Sequence, residues 1–214
     1  MYRTGDNIYI TNVGLDMDEY IRKINSIEDK DNIKVFNCAS NFIYGKILKI
    51  PFPNLKKFNI KYNKIVSIED ALPKKLEYLF IDDNEFLELP KLPNKLKILT
   101  FSSNRIKKLP TFPLSLKKIH INNEKPGILI DIKKQSYECK KSLIILLKKK
   151  NFRHNFTSEQ MIDLHNFQIR ERDIKHFEEA IMRFNNKQDF GIKNENSKIF
   201  NTLHILFKCF TEFL

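Results

Sequence analysis

The sequence predicts an α/β solenoid: a curved parallel sheet made from short repeats with extended returns, opened by a strand-helix cap and followed by an α-helical region. Three observations carry that expectation. A pattern LxxLxLxxNxL recurs at steps of 20–22 residues. All eight prolines lie between positions 51 and 126, in the gaps between copies of the pattern. Beyond about residue 130 proline disappears and the apolar spacing becomes helical.

At the N-terminus, Ile8-Tyr9-Ile10 alternates in the period-2 manner of a strand with one buried face. Asp16 to Ile27 reads as a helix with acids in its first turn, where they complement the helix dipole, and with Tyr20, Ile21, Ile24 and Ile27 on one face. Phe36 and Cys38 follow Ile8 and Ile10 by 28 residues, so residues 1–32 fit one longer strand-plus-helix unit. Such a unit covers the open end of a stack of repeats.

The array is assigned to residues 33–128. Leu55-Lys-Lys-Phe58-Asn-Ile60-Lys-Tyr-Asn63-Lys-Ile65 aligns with the copies starting at Leu76 and Leu96, and each keeps its asparagine, at Asn84 and Asn104. A weaker copy starts at Ile33 and carries Asn41; a fifth starts at Leu116 and places Glu124 in the asparagine slot, as suits an atypical terminal repeat. No copy can bury its strand face alone, so stacking must supply the core. An asparagine amide buried where the chain turns inward offers two donors and an acceptor to loop backbone. The prolines, in IPFP, LPKLP and LPTFP contexts, fix φ and remove a donor, so the returns are expected to be extended rather than helical.

These residues resemble the leucine-rich repeat family, in its short LPxLP-containing subclass, across a little under half the chain. The resemblance implies a right-handed leucine-rich repeat solenoid with extended convex returns and a ligand-binding concave sheet face. The Lys-, Asn-, Ile- and Phe-rich usage is that of an AT-rich genome, and in this bias the chain is similar to leucine-rich repeat proteins of giant viruses of amoebae.

Residues 129–214 read as a helical subdomain. Thr157-Ser-Glu-Gln160 forms a capping box, Ile174, Phe177, Ile181 and Phe184 repeat at helical spacing, and a last amphipathic segment runs from Ile199 to Leu214. Its stripe is expected to pack as core; binding a partner helix or a membrane surface is the alternative.

The chemistry is sparse. No GxxxxGK[ST], GxGxxG, HExxH, GxSxG or CxxC pattern occurs, so the chain is expected to be no enzyme and to need no cofactor or metal. His154, His165 and His176 are 11 residues apart, which on a helix separates the rings by roughly 16 Å, too far to share a metal. Cys38 occupies an apolar strand slot, whereas Cys139 and Cys209 fall in the tail. Some leucine-rich repeat effectors carry a cysteine-dependent ubiquitin ligase domain after their repeats; too few residues follow the array here to match it. Three widely spaced cysteines and the absence of an apolar leader predict an intracellular, cytoplasmic protein, in a host cell's cytoplasm if it is viral or an effector. The longest uncharged apolar run, at 143–147, is too short to span a bilayer, and no transmembrane segment is expected.

The net charge of +12 admits nucleic acid or an anionic surface as partner. The array carries 18 basic and 8 acidic residues, or +10 of that total. Several of its lysines, including Lys74, Lys75, Lys91, Lys95, Lys107 and Lys108, fall on returns. The resemblance places the ligand face on the columns around each LxL. Carried over by position, Tyr62, Tyr78, Phe80 and Ile98 form exposed apolar anchors near Asp82 and Asp83, with His120 at the far end. A monomer binding a protein partner there is the expected function; nucleic-acid or anionic-surface binding through the basic convex side and tail is the alternative.

Overall fold

The computed structural model describes residues 1–69, 72–121, 131–150, 152–153 and 156–188. Residues Met1–Gln168 form one compact unit and Ile169–Leu214 a second. Asn122, Asn123, Glu124, Asn155 and the amphipathic segment 199–214, together with Cys209, lie outside the described residues.

The chain begins with a hairpin. β1 (Tyr2–Thr4) pairs antiparallel with β2 (Asn7–Tyr9), and Gly5, at φ +53°, makes the turn. Helix α1 (Met17–Asn25) starts at Asp16, whose Oδ1 accepts from the Glu19 amide at 2.8 Å. It buries Tyr20 and Ile24 on one face. A single 3-10 turn, Lys30–Asn32, leads into β3 (Val35–Asn37). Ile8 pairs with Phe36 across a parallel ladder, so the 28-residue spacing does bring the first strand beside the first repeat.

From there each repeat contributes one three-residue strand: β5 (Lys57–Asn59), β7 (Tyr78–Phe80), β8 (Ile98–Thr100) and β9 (Lys118–His120). The seven-stranded sheet has the order β1-β2-β3-β5-β7-β8-β9, parallel from β2 onward. Phe36, Phe58, Leu79, Leu99 and Ile119, each the central residue of its strand, are in register and fully buried. The returns are extended. In the two longer repeats they form a second, two-stranded parallel sheet of β4 (Tyr44–Ile47) and β6 (Lys64–Ile68). In the 20-residue repeats this shrinks to one bridge between Glu88 and Lys108. The architecture is a leucine-rich-repeat solenoid.

The asparagine column stitches neighbouring repeats together. Asn84 Nδ2 donates to the carbonyls of Ile81 and Asp82 in its own turn and, at 2.9 Å, to Ile60 in the preceding repeat. Its Oδ1 accepts from the Ile65 amide at 3.0 Å. Asn63 and Asn104 repeat the pattern toward Ile43 and Phe86, and Asn41 satisfies Val13 and Leu15 of the cap. The residue before each asparagine is left-handed: Ser40, Tyr62, Asp83 and Ser103 all have φ between 53° and 57°. Asn12 (φ 55°) continues that column into the cap. Each of these turns costs on the order of 1 kcal/mol in a residue with a Cβ, which the amide network offsets.

The C-terminal end is closed by a helix. α2 (Tyr137–Leu147), capped by Ser136, buries Leu143, Ile144 and Leu146. Gln135 Oε1 accepts from the Leu109 amide at 2.7 Å, and Ser142 Oγ accepts from the Phe112 amide at 3.1 Å, both on the last return. After α2 the chain comes back to the sheet edge, where Arg153 forms a parallel bridge with Lys118. α3 (Ser158–Gln188) opens with the expected capping box: Gln160 donates its amide to Thr157 Oγ1, and Thr157 donates its amide to Gln160 Oε1. Its first turns pack on α2 through Phe167, whose ring meets Tyr137 edge-on at 5.5 Å.

Candidate functional site

The solvent-facing side chains of β5, β7, β8 and β9 form the candidate binding face. Because the ladder is parallel and in register, Lys57, Tyr78, Ile98 and Lys118 stand side by side, and Asn59, Phe80, Thr100 and His120 make the next row. Tyr78, Phe80, Ile98 and His120 are half-buried, whereas Tyr62, on its left-handed turn, is 58% exposed. The ammonium groups of Lys57 and Lys61 lie 5.4 and 5.3 Å from the centre of the Phe80 ring, so cations cover part of that ring.

Asp82 departs from the sequence expectation. It is only 4% exposed, so it does not present a free carboxylate beside the aromatic anchors. Lys61 Nζ sits 2.7 Å from Asp82 Oδ2, the Ser102 amide donates to Oδ1 at 2.8 Å, and the Thr100 hydroxyl donates to Oδ2. This network joins three repeats and buries a charge that is paired and hydrogen-bonded. The signal was available in the sequence. Lys61, Asp82 and Ser102 occupy one column of successive repeats, and opposite charges on adjacent parallel strands are within reach of each other. Asp83, half-buried, makes no ion pair with a described residue, and it helps line a shallow depression of about 340 Å³ with Tyr62, Ser103 and His120.

The basic residues are sorted by position more sharply than the repeat alignment implies. Each return re-enters the sheet through a turn closed by an amide-to-carbonyl bond, such as Leu76 to Pro73 at 2.9 Å and Leu96 to Pro93 at 3.0 Å. Lys74, Lys75 and Lys95 sit in these turns, and Lys56 and Lys117 directly follow two of them; all are exposed. Glu77, paired with Lys97 at 2.5 Å, is the one acid in the four entry stretches 53–57, 73–77, 93–97 and 113–117. The opposite, strand-exit edge is mixed: Asp82 and Glu85 pair there with Lys61 and Arg105, beside Asp83 and Lys64. Lys91, Lys107 and Lys108 are exposed on the returns.

Neither described cysteine is an available nucleophile. Cys38 is fully buried and burial pushes its thiol far up; Cys139 is also buried, its thiol pushed up to about 12. Among the described residues no cluster of three metal-ligating side chains occurs. His165 and His176 are exposed on α3, and His154 lies outside the described residues. No described helix is long and apolar enough to cross a membrane.

These features define a leucine-rich-repeat solenoid with a mixed aromatic and charged strand face. No family model matches the chain, and none of the curated proteins matches it. Among solved structures, YopM from Yersinia enterocolitica WA-314 aligns at 31% identity with a TM-score of 0.38, over 46% of this chain and 22% of that one.

Proposed function

We propose that the chain is a non-enzymatic interaction module that binds a protein partner on the strand face of the solenoid, the face that the family resemblance makes concave. The observation that carries this reading is the placement of Tyr62, Tyr78, Phe80 and Ile98. Tyr78 and Ile98 are register neighbours, Phe80 lies one row along, and Tyr62 stands exposed on the adjoining turn. Aromatic and aliphatic anchors ringed by polar groups are the composition of an interface hot spot. Here the ring consists of Lys57, Lys61, Asp83 and His120. Asp82 supports the face from beneath, by fixing Lys61, rather than touching the partner. The same reading takes the protein to be intracellular and monomeric, in keeping with its buried, unpaired Cys38 and Cys139.

Proximity labelling in cells with the full chain, compared with Tyr62→Ala/Tyr78→Ala, tests the assignment. Both side chains are at least partly exposed, so the variant should keep its fold, which circular dichroism checks. Labelled partners should fall at least tenfold, in line with the ~2 kcal/mol typical of a hot-spot truncation. An unchanged partner set would place the interface elsewhere.

A further inference from the structure

We propose that the strand-entry edge of the solenoid is a docking surface for an anionic phospholipid membrane. The parallel ladder spaces successive strands about 4.8 Å apart, and Lys56, Lys74, Lys75, Lys95 and Lys117 occur on successive entry turns, all exposed. Toward the N-terminal cap the row is diluted by acids, since the segment before β3 mixes Glu28, Asp29 and Asp31 with Lys30 and Lys34. It continues past the last strand into Lys148, Lys149 and Lys150, which follow α2 and are also exposed. Like charges held this close repel, and a dense layer of opposite charge relieves them all at once.

The chemistry of the edge selects the kind of polyanion. The four entry turns expose no aromatic ring, Phe52 in the first of them being fully buried, and their cations are lysines, compact charges that need no bidentate geometry. Where the row meets the C-terminal cap, a depression of about 420 Å³ is floored by Leu114, Leu116 and Phe152 and rimmed by Lys117, Lys149 and Lys150. Leu114 is 54% exposed, and Lys149 donates to its carbonyl, which holds that ammonium over the floor. Ammonium groups around an apolar floor match the boundary between headgroup phosphate and acyl chain. A base could stack on Phe152 but would leave the exposed Leu114 uncovered, whereas an acyl chain covers both.

The test is sedimentation of the full chain with vesicles of phosphatidylcholine and phosphatidylserine (70:30), against pure phosphatidylcholine and against poly(U) RNA, in moderate salt. Binding is expected to the mixed vesicles only. With about 1 kcal/mol contributed per lysine near an anionic leaflet, Lys74→Gln/Lys95→Gln/Lys117→Gln should weaken it by roughly 100-fold. Leu114→Ser should weaken vesicle binding about tenfold or more. Equal binding to both vesicles, no binding to the mixed vesicles, or a triple variant that binds like the parent would overturn the proposal. So would tight binding to poly(U) that Leu114→Ser leaves intact while the vesicles stay unbound, since that makes the edge a nucleic-acid surface.

Discussion

Asn84 shows how much a single side chain does in this fold. Its amide meets three carbonyls and one backbone N–H, spread over its own turn and the preceding repeat. Alanine there would leave the buried Ile65 amide without its partner and take one of two side-chain donors from the Ile60 carbonyl, which keeps Asn63 Nδ2 at 3.1 Å. An orphaned buried group costs about 1–3 kcal/mol, so Asn84→Ala should lower stability by about 3 kcal/mol, read as a shifted denaturant midpoint with unchanged slope. A loss under 1 kcal/mol would mean that water replaces the amide. The residue before each asparagine teaches a different lesson. Nothing about Ser40, Tyr62 or Ser103 as residue types announces a left-handed conformation, for which glycine, asparagine or, as at Asp83, aspartate is the usual marker. The geometry is imposed by the asparagine that follows, so the repeated Asn was readable and the strained column beside it was not.

At the scale of elements, the terminal hairpin depends on an exposed ion pair. Arg3 donates to both oxygens of Asp29, at 2.8 and 2.6 Å, tying β1 to the loop after α1. β1 itself is exposed along its whole length, so little apolar burial holds it. The hydrogen bond from Arg3 is the largest cause holding the Asp29 carboxyl below its usual 3.8. A carboxyl depressed in the folded state adds stability that is fully present above the unfolded value and is lost as pH falls through the folded one. Amide-exchange protection of Tyr2–Thr4 should therefore hold at pH 5 and decline below about 3.8, and Asp29→Asn should show the reduced protection already at pH 6 with no further step. If the variant kept the parent's acid response, another carboxylate would be responsible. Helix α1, by contrast, was legible in the sequence, because Asp16 and the 3–4 spacing of Tyr20, Ile24 and Ile27 state it directly. β1 and the β4–β6 sheet were not, since each exists only by pairing with a segment whose partner no local pattern specifies. The same holds for Asp82: its column was visible, but its burial arises from contacts with Lys61, Thr100 and Ser102 across neighbouring repeats.

Over the compact unit Met1–Gln168, the two ends solve one problem in the same way. A stack of repeats exposes an apolar cross-section and an unpaired strand at each end. At the start, α1 stands where the first extended return would run, and β1 pairs the edge of β2. At the finish, α2 takes the corresponding place, Gln135 and Ser142 satisfy the amides of Leu109 and Phe112, and Arg153 bonds to the edge of β9 through its backbone at 3.0 Å in both directions. Because each repeat touches only its neighbours, damage to a cap should spread inward from that end rather than through the whole sheet. Leu146 is fully buried on α2, and Leu146→Ala should cost about 2–5 kcal/mol through the cavity it leaves. Native-state hydrogen exchange should then show protection falling first in β9 and the return carrying Leu109 and Phe112, next in β8, and last in β3 and β5. A uniform loss across all strands would show that the solenoid unfolds as one cooperative block, and that the helical caps act on the whole array rather than on the repeat they cover.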